Sequence, residues 1–419
     1  MPRSELEIER LSKSGEGVAH LGGRAVFVFG ALPGERVMAE VAEVGKVLRG
    51  ELVEVVSPSP ERRVPPCPLA STCGGCPWMH LEEGAQLRAK EEIVRSTLSH
   101  LGGVDLEQLV IHPSFASPKA IGYRRRATLH PVQGRLGFFG RRTHERVVVD
   151  VCPALTAPLQ HLPGLLSDSL GTAIKDIEEV RVLECESQLS ISVHLKGPLR
   201  PKVTDAIEPL IREQLISGAI IVPGENKGAP VLMGAPILDD RPVFHRPDAF
   251  AQANREVNEA LVAACLEALQ LSGARQSVLE LYSGNGNLTF ALAAEAKQVT
   301  AIESSALSVQ LAQKAAARLG ASNIRFVQSD AEKSADGLVR EGARFDRLLL
   351  DPPRAGAPKV GTWASRLLVS RVVYVACDPA SLARDAASLR AQGFRAESLQ
   401  LFDLFPQTNH IEAVMAFSR

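Results

Sequence analysis

One of the seven cysteines, Cys377, ends an apolar, β-branched run (VVYVAC, residues 372–377) and is followed directly by Asp-Pro. Thiolates are strong nucleophiles, so a cysteine at the tip of a strand is a candidate for covalent chemistry. A lone cysteine on a strand is more often a small buried hydrophobe. The residues that share its surroundings decide between these two roles.

A carboxylate is predicted to lie beside this thiol. The chain ends in LFDLFPQTNHIEAVMAFSR, and if the final strand runs antiparallel to its neighbours, Glu412 and His410 come next to Cys377. A thiolate that adds to carbon 6 of uracil makes carbon 5 nucleophilic, and a base must later remove the carbon-5 proton. Glu412 in a desolvated cleft suits that base, although a Glu that opens a terminal strand is usually solvated.

The stretch VLELYSGNGNLTFALA (residues 278–293) predicts a strand, a Gly-X-Gly turn at Gly284 and the start of a helix. Glycines let a backbone turn sharply and approach a ligand closely. Thr289 replaces the third glycine of the dinucleotide fingerprint, which counts against NAD, and no Walker lysine occurs, which counts against nucleoside triphosphates. The turn alone is weak evidence, because such a turn can also bind nothing.

Acidic residues are predicted at the ends of the next three strands: Glu303, Asp330 and Asp351. Parallel strands end at one edge, where open α/β sheets bind their ligands. Glu303 is placed to accept hydrogen bonds from both hydroxyls of a ribose, and Asp330 is placed to accept one from an adenine amino group. Each acid alone could be a helix N-cap, but together with the glycine turn they favour a nucleoside without pyrophosphate, namely S-adenosylmethionine.

Four further cysteines have spacing that suggests a metal. Cys67, Cys73 and Cys76 occur in CPLASTCGGCP, and Cys152 in VVVDVCP is the candidate for a fourth ligand. Four thiolates suit either Zn²⁺ or an iron–sulfur cluster, and spacing alone does not choose between them. The two remaining cysteines are assigned to packing: Cys185 and Cys265.

Composition restricts the class of protein. The chain has 419 residues and a formal net charge of −1, so nucleic-acid binding would have to come from local basic patches. The N-terminus MPRSELEIERL is not a signal peptide, and no apolar stretch reaches the ~18 residues that span a bilayer. An odd number of cysteines without an export signal indicates a cytoplasmic, multidomain protein.

Three domains are predicted. Residues 1–58 alternate between short strands and glycine turns and suggest a small β-barrel of the oligonucleotide-binding kind. Residues 59–245 begin with a Pro-rich linker (SPSPERRVPPCP starts at 57) and a helix, and then become strand-rich. Residues 246–419 alternate strands and helices, which predicts a Rossmann-like, mostly parallel sheet. Its strands are predicted at SVLELY, QVTAIE, IRFVQ, RLLLD, VVYVAC, AESLQLF and EAVMAF.

Several long motifs resemble the RNA uracil-5-methyltransferases that act on ribosomal and transfer RNA. They are DPPRAG, VVYVACDPASLARD and FDLFPQTNHIEAV, and the similarity extends to FAQANREVNEAL and LELYSGNGNLTFALA. In the N-terminal half, GEGVA and ALPGE resemble the TRAM domain, a small RNA-binding barrel. The resemblance covers nearly the whole chain, and motifs of this length in this order are specific.

The resemblance implies residue roles. Cys377 would be the nucleophile and Glu412 the general base, and four thiolates would hold a [4Fe–4S] cluster. The implied cluster ligands are Cys67, Cys73, Cys76 and Cys152. The implied S-adenosylmethionine contacts are Gln252, Tyr282, Gly284, Asn287, Glu303, Asp330 and Asp351.

The sequence departs from the family around the nucleophile. The usual Ser-Cys-Asn is Ala-Cys-Asp here, with Ala376 and Asp378 flanking the thiol, and Ser381 replaces a Thr. Ser283 stands where many relatives have a Cys. A carboxylate at Asp378 is expected to raise the pKa of the adjacent thiol.

The partner implied by the resemblance is RNA, with 23S rRNA first and transfer RNA second. The runs YRRRA (residues 123–127) and GRR (140–142) would contact phosphates, and a monomer is expected because RNA supplies the large interface. Two other functions remain open. An enzyme that methylates nitrogen would use Cys377 only for packing, and a noncatalytic RNA chaperone would tolerate loss of both Cys377 and Glu412.

Overall fold

The computed structural model of the chain describes residues 3–141 and 143–419. Arg142, the last residue of the predicted basic run GRR, lies outside the described residues. Within the part of the chain that is described, no helix combines the length and apolar character needed to cross a membrane.

The first six strands form one curled sheet with its own core. They are β1 (Arg3–Glu7), β2 (Arg10–Leu11), β3 (Gly17–Leu21), β4 (Arg24–Val28), β5 (Arg36–Val44) and β6 (Val47–Ser57). Their order is β1-β5-β6-β4-β3-β2, with β4 and β6 parallel and the other pairs antiparallel. Alternate residues such as Val26, Val28, Val37 and Ala39 point inward, as the period-2 pattern predicts.

The Pro-rich segment that follows this barrel is held firmly to it. The carboxylate of Glu35, which is fully buried, accepts hydrogen bonds from Arg62 Nε (2.5 Å) and Nη2 (2.8 Å). It also accepts from the backbone N–H groups of Leu32 (2.8 Å) and Ser59 (3.2 Å). These hydrogen bonds hold the segment against the barrel. As predicted, the segment forms neither helix nor strand.

A helix and a mixed sheet come next. The elements are α1 (Glu83–His100), β7 (Val110–Ile111), β8 (Arg126–Val132), β9 (Arg135–Phe139), β10 (Arg146–Val148), α2 (Leu162–Leu170), β11 (Ile177–Cys185), β12 (Gln188–Leu195), α3 (Pro201–Arg212), β13 (Gly218–Val222) and β14 (Val231–Gly234). The seven strands β8–β14 form a sheet in the order β10-β9-β8-β11-β12-β13-β14. Helices α2 and α3 share its core.

The C-terminal part alternates strands and helices. After the hairpin β15 (Leu238–Asp240) and β16 (Val243–His245) come α4 (Arg255–Leu269), β17 (Ser277–Leu281), α5 (Thr289–Glu295), β18 (Gln298–Glu303), α6 (Ala306–Leu319), β19 (Ile324–Gln328), α7 (Ala331–Arg340), β20 (Arg347–Leu350), α8 (Val360–Arg366), β21 (Arg371–Ala376), α9 (Pro379–Ala391), β22 (Arg395–Phe402) and β23 (Glu412–Ser418). Each predicted strand of this part is found within one or two residues of its expected bounds.

The C-terminal sheet confirms the predicted fold class. Its order is β19-β18-β17-β20-β21-β23-β22-β7, and β17 to β21 are parallel. The last strand, β23, runs antiparallel between β21 and β22, as the sequence analysis required. Strands β17 to β21 therefore end at the same edge of the sheet, and β23 begins there.

The prediction did not foresee that β7 joins this sheet beside β22. Helix α1 also packs into the core of the same sheet through Val94 and Leu98. The ammonium group of Lys90, which is fully buried on this helix, donates to Asp403 (2.6 Å) and to the carbonyl of Phe405 (3.1 Å). The predicted domain boundaries, at 58/59 and 245/246, stay a prediction. Residues 83–111, which include α1 and β7, contribute to the core of the C-terminal sheet.

The buried Glu35 generates a prediction about stability. Burial works to raise the pKa of Glu35, but hydrogen bonds from Arg62 and from backbone N–H groups outweigh it, so the pKa is lowered. Glu35→Gln should weaken the barrel by about 1–3 kcal/mol, because the Arg62 guanidinium loses its charged partner. Hydrogen exchange of the barrel amides measures this local free energy of opening.

Because the pKa of Glu35 is lowered on folding, its contribution is present above the unfolded pKa and is lost as the pH falls through the folded value. The difference between wild type and Glu35→Gln should therefore shrink in acid. The control is Glu40→Gln, which removes only an exposed pair with Arg3 (3.1 Å) and should have little effect. Equal losses for the two variants would contradict the proposed role of Glu35.

Candidate active site

Cys377 lies directly after β21, at the edge where the parallel strands end. The six residues of β21 are all buried because both faces of the sheet are covered, whereas Cys377 is partly accessible. Asp378 then caps helix α9 by accepting from the backbone N–H groups of Ala380 (2.8 Å) and Ser381 (2.9 Å). The thiol is thus fixed between a rigid strand and a capped helix.

Glu412 is the first residue of β23 and is buried. In the antiparallel register, Ala376 faces Ala413, so the residues just beyond this pair, Cys377 and Glu412, are neighbours across the two strands. The structure thereby brings together two residues that are 35 positions apart in the sequence. Asp351, at the end of β20, belongs to the same group of charges.

The electrostatics of this group favour neutral side chains. Burial, followed by the charges of Glu412 and Asp351, raises the pKa of Cys377 to about 12. Burial, and then Asp351, also raises the pKa of Glu412 well above its ordinary value. Burial raises the pKa of Asp351 to about 7. Arg354 opposes the shifts of Cys377 and Glu412, so it is the cation that favours their charged forms.

The departure at Asp378 has a structural explanation. Lys13 of the barrel reaches its carboxylate (Nζ–Oδ2 3.0 Å), and the carboxylate also accepts from the first turn of α9. Burial works to raise the pKa of Asp378, but the backbone hydrogen bond from Ser381 and the contact with Lys13 lower it overall. The negative charge is therefore balanced within the structure, and burial and Glu412 rather than Asp378 dominate the pKa of Cys377.

A cleft of about 520 Å³ opens between the barrel and the C-terminal sheet. Cys377 and Asp378 line it on one side, together with Arg354 and His410. The barrel supplies the other wall, which is formed by Arg10, Ser12, Lys13, Ser14 and Phe27. A volume of this size is typical of sites that hold a small organic ligand.

The loop that carries Arg354 is tied to α9 by a buried carboxylate. Asp385 accepts from the hydroxyl of Tyr374 (2.6 Å) and from the backbone N–H of Ala357 (2.6 Å). At Gly356 the backbone has φ +74°, and an added Cβ would lie 2.5 Å from the same carboxylate. The Gly in DPPRAG is thus required by both conformation and space.

His410 lies beside the pair as predicted but is poorly suited to be a base. Burial, followed by the charges of Arg354 and Lys90, lowers the pKa of His410 to about 4. The guanidinium of Arg354 donates to its neutral Nε2 (3.3 Å). Of the two residues that the sequence placed next to Cys377, Glu412 is the one with a raised pKa.

The loop before Glu412 is positioned by Gln407, which is fully buried and has φ +67°. Its side-chain oxygen accepts from Arg63 (2.8 Å) and Gln86 (2.9 Å), and its amide donates to the carbonyl of Ala120 (3.0 Å). Its backbone carbonyl accepts from the N–H of Trp78 (2.9 Å). Segments from three parts of the chain therefore hold this loop in place.

The glycine turn contacts one of the predicted acidic strand ends, Glu303. The N–H of Gly284 donates to Glu303 Oε2 (3.0 Å), while Glu303 Oε1 accepts from the N–H of Ser305 (2.7 Å). Asp330 is exposed and caps α7 through the N–H of Lys333 (2.9 Å), so it does act as the N-cap that the sequence analysis kept as an alternative.

Two of the remaining predicted donor contacts, Tyr282 and Asn287, follow β17 at this edge. Tyr282 follows β17 with φ +64°, and burial raises its pKa to about 12. Asn287 exchanges two amide hydrogen bonds with Asn258 of α4 (2.8 and 2.9 Å). Gln252 lies shortly before α4 and accepts from Arg125 through its backbone carbonyl (2.8 Å). The role of each as a contact to S-adenosylmethionine stays a prediction.

Sequence reasoning missed three charged residues of this region: Glu280, Arg354 and Lys13. Burial raises the pKa of Glu280, in the middle of β17, to about 8, and its Oε2 has no hydrogen-bond partner among the described residues. An acidic residue inside an otherwise apolar strand was the signal that could have identified it. The approach of Lys13 from the barrel had no signal in the sequence.

The four predicted cysteine ligands converge in one cavity of about 530 Å³. Burial raises the pKa of Cys76 to about 12, followed by contributions from Cys152, Cys73 and Cys67, so the four thiols influence one another. Arg124 and Arg141 line the same cavity, and the buried Nε of each has no hydrogen-bond partner among the described residues. The donors and these cations fit an anionic thiolate-bound group.

These thiols are spaced more widely than the ligands of a single tetrahedral ion. A tetrahedral Zn²⁺ with Zn–S bonds of about 2.3 Å needs sulfurs about 3.8 Å apart. Among the described residues, one group of three candidate ligands has donor atoms that all lie within 4.8 Å of one another. It consists of Cys185, Asp240 and His245. No three of the four predicted cysteine ligands meet that distance.

The group of Cys185, Asp240 and His245 is better explained as an ion-pair network. Asp240 pairs with the buried guanidinium of Arg125 and with Arg255 (3.3 Å), and His245 Nε2 lies 3.2 Å from its carboxylate. A guanidinium on the shared carboxylate disfavours a metal at the same place. Cys185 is buried, in keeping with its assignment to packing.

The charges around Cys377 predict how the reactivity of its thiol depends on pH. Because the charge of Glu412 raises the pKa of Cys377, Glu412→Gln should lower that pKa and speed alkylation between about pH 8 and 10. Peptide mass spectrometry after a pulse of iodoacetamide measures the rate at this position. Asp378→Asn is the matched control and should change the profile little, because Lys13 already balances that charge. A larger shift for Asp378→Asn would contradict this account.

Comparison with known proteins identifies two segments. The family described as tRNA (Uracil-5-)-methyltransferase matches residues 236–419, and the TRAM domain matches residues 3–53. A solved structure of Pyrococcus abyssi tRNA (uracil-54, C5)-methyltransferase, in complex with S-adenosyl-L-homocysteine, has the same fold with a TM-score of 0.78. It is 23% identical and the match covers 99% of both chains.

Relatives match over the full length. The 23S rRNA (uracil(1939)-C(5))-methyltransferase RlmD of Pseudomonas putida is 35% identical, over 99% of this chain and 93% of its own. The RlmD of Alkalilimnicola ehrlichii is also 35% identical, over 100% of this chain and 98% of its own. With the thiol–carboxylate pair at the ends of β21 and β23, these matches show that the chain belongs to the family of RNA uracil-5-methyltransferases.

Proposed function

We propose that this protein transfers a methyl group from S-adenosylmethionine to carbon 5 of one uridine in 23S rRNA. The observation that carries the proposal is the pairing of Cys377, which lines the cleft, with the buried Glu412 behind it, at the edge where the parallel strands end. A nucleophile and a carboxylate of raised pKa are what carbon-5 methylation of uracil requires. The ribosomal substrate is supported by the relatives that match over the full length, which are named for 23S rRNA.

In this proposal the thiol of Cys377, which is accessible from the cleft, gives its proton to solvent, and the sulfur forms a bond to carbon 6 of the uracil. Carbon 5 then carries electron density and takes the methyl group that the bound donor supplies. Glu412 removes the carbon-5 proton, the bond to sulfur breaks, and the thiolate leaves. Because burial raises the pKa of Glu412, its carboxylate is a stronger base than one in water. Arg354 favours the charged forms of both residues.

We assign the donor to the edge formed by the glycine turn and the acidic strand ends. Glu303, partly exposed beside Gly284, would accept from the ribose hydroxyls, and Asp330 would face the adenine. Asp351, with a pKa near 7, lies between this edge and the catalytic pair. The other proposed contacts are Gln252, Tyr282, Gly284 and Asn287.

We further propose that Cys67, Cys73, Cys76 and Cys152 hold a [4Fe–4S] cluster. The convergence of four thiols in one cavity supports it, as do the buried Nε atoms of Arg124 and Arg141, which have no hydrogen-bond partner among the described residues. A cluster there would connect the segment after the barrel with the central sheet, because Cys152 follows β10 and the other three precede α1. Its role would therefore be structural.

Covalent trapping tests the proposed reaction. 5-Fluorouridine has no proton at carbon 5, so after methyl transfer the bond between sulfur and carbon 6 cannot be released. We expect an adduct with the 23S rRNA fragment that contains the uridine named for the relatives, seen on denaturing gels and by mass spectrometry. Cys377→Ala should form none, and a transfer RNA should form far less.

Glu412→Gln separates the base from the nucleophile in the same assay. It should accumulate the adduct with ordinary uridine, because the carbon-5 proton stays in place and the product cannot leave. Turnover should fall by about 10²–10⁴-fold. A wild-type protein that binds the donor but traps none of these RNAs would refute the proposed function, and trapping of the transfer RNA alone would refute the ribosomal substrate.

Metal analysis tests the proposed cluster. Protein purified without oxygen should contain iron and acid-labile sulfide in equal amounts, and Cys152→Ala should lose most of both. Proteolysis between the barrel and α1 should then become faster, because the segment has lost a ligand on the central sheet. Cys185→Ala, which removes a buried cysteine outside this cavity, is the matched control and should keep the metal. Zinc without sulfide would contradict the proposal.

A further inference from the structure

Phe27 occupies an unusual position on the barrel. Its neighbours on β4, Val26 and Val28, are fully buried in the barrel core, so Phe27 points to the outer face. It is partly exposed and belongs to none of the buried hydrophobic clusters of the described residues. It lines the same cleft as Cys377, from the opposite wall.

The ring of Phe27 has no ring–ring or cation–ring partner among the described residues. Other phenylalanines on exposed surfaces are covered: Arg141 lies 4.7 Å from the ring centre of Phe29, and Arg126 lies 5.3 Å from that of Phe250. An apolar ring that faces a polar cleft without such cover leaves a flat surface available to a ligand.

The charges around Phe27 are those of a nucleic-acid site. Arg10 is exposed on β2 and makes no ion pair or hydrogen bond with the described residues, so its guanidinium is available to a phosphate. Arg354 lies on the opposite wall, and within the described part of the chain its side chain hydrogen-bonds only to the neutral His410. An aromatic side chain beside such cations is the usual arrangement that binds unpaired nucleotides.

The reaction requires an unpaired base at this place. A target base must leave its stack to reach a thiol, and its neighbour in the strand then loses a stacking partner. A cleft of about 520 Å³ has room for more than the uracil ring alone. The barrel wall lies across from Cys377 and is the surface that a neighbouring nucleotide would meet.

We propose that Phe27 stacks on the base of the nucleotide adjacent to the target uridine, while Arg10 contacts its phosphate. This inference rests on the proposed function, because it takes the uridine at Cys377 as its reference point. It gives the barrel a direct part in substrate selection, since the flat ring accepts any base but only in a strand that is locally unpaired.

The test compares Phe27→Ala with Phe27→Trp and Val53→Ala. Val53 is 44% exposed on β6 and lies outside the residues that line the cleft, so it is a matched loss of apolar surface from the same barrel. Removal of a stacking ring should raise the KM for RNA by about 5- to 150-fold. The affinity for the methyl donor and the melting temperature should stay unchanged. Trp should restore binding, because it keeps the flat ring.

An RNA that lacks one base identifies the partner. Abasic sites on the 5′ or the 3′ side of the uridine should each be tested with wild type and Phe27→Ala. On the side that contacts Phe27, removal of the base should weaken RNA binding by the wild type. It should cause no further loss of RNA binding by Phe27→Ala. Additive losses on both sides would overturn the stacking assignment, as would a Phe27→Ala variant that behaves like Val53→Ala.

Two other outcomes distinguish the inference from its alternatives. A lower melting temperature for both Phe27→Ala and Phe27→Trp, with an unchanged KM, would show that Phe27 is a packing residue and overturn the proposal. Trapping of 5-fluorouridine RNA by the wild type is measured in parallel. If trapping succeeds and Phe27→Ala has no effect, only this inference fails, whereas absence of trapping in the wild type would refute the proposed function itself.

Discussion

The antiparallel register of β23 against β21 is the constraint on which the active site depends. It sets Ala413 opposite Ala376, and the next residue on each strand is then a member of the reactive pair. A register shift of one residue would send the carboxylate of Glu412 to the opposite face of the sheet, away from the thiol. The apolar residues of both strands, buried on both faces, resist such a shift because every side chain has its own packing environment.

Loops supply charged and hydrogen-bonding groups that complete the active site. Strand ends fix the positions of Cys377 and Glu412, but the charges that shift their pKa values come from the segment after β20, and the barrel supplies the partner of Asp378. Asp385 holds the first of these through backbone hydrogen bonds, and Lys13 joins the barrel to the start of α9. Gln407 and Trp78 connect the loop before Glu412 to the cysteine segment and to the barrel, because the indole of Trp78 donates to the carbonyl of Gly15 (3.0 Å). The site is therefore shared by all parts of the chain.

The local pattern of the sequence was enough to predict the strands of the C-terminal sheet and the acidic residues at their ends. The topology of related sheets then predicted the juxtaposition of Cys377 and Glu412. What could not be predicted arises from contacts between distant segments. The pairing of β7 with β22 involves two residues on the β7 side, which is too short for a recognisable pattern. Lys13, the partner of Asp378, is 365 positions away in the sequence. The local sequence around the thiol therefore suggested an unbalanced negative charge at Asp378, whereas the structure balances it.

The position of Glu412 on β23, which follows all other strands of the C-terminal sheet along the sequence, has a consequence for biosynthesis. Domains form in order as the chain leaves the ribosome, and the barrel and the central sheet contain strands only from the first 234 residues. The C-terminal sheet instead needs β23, and Lys90 finds its buried partner Asp403 313 residues later in the chain. Helix α1 is therefore synthesised long before the core against which it packs. The catalytic pair is complete only after β23 has been synthesised.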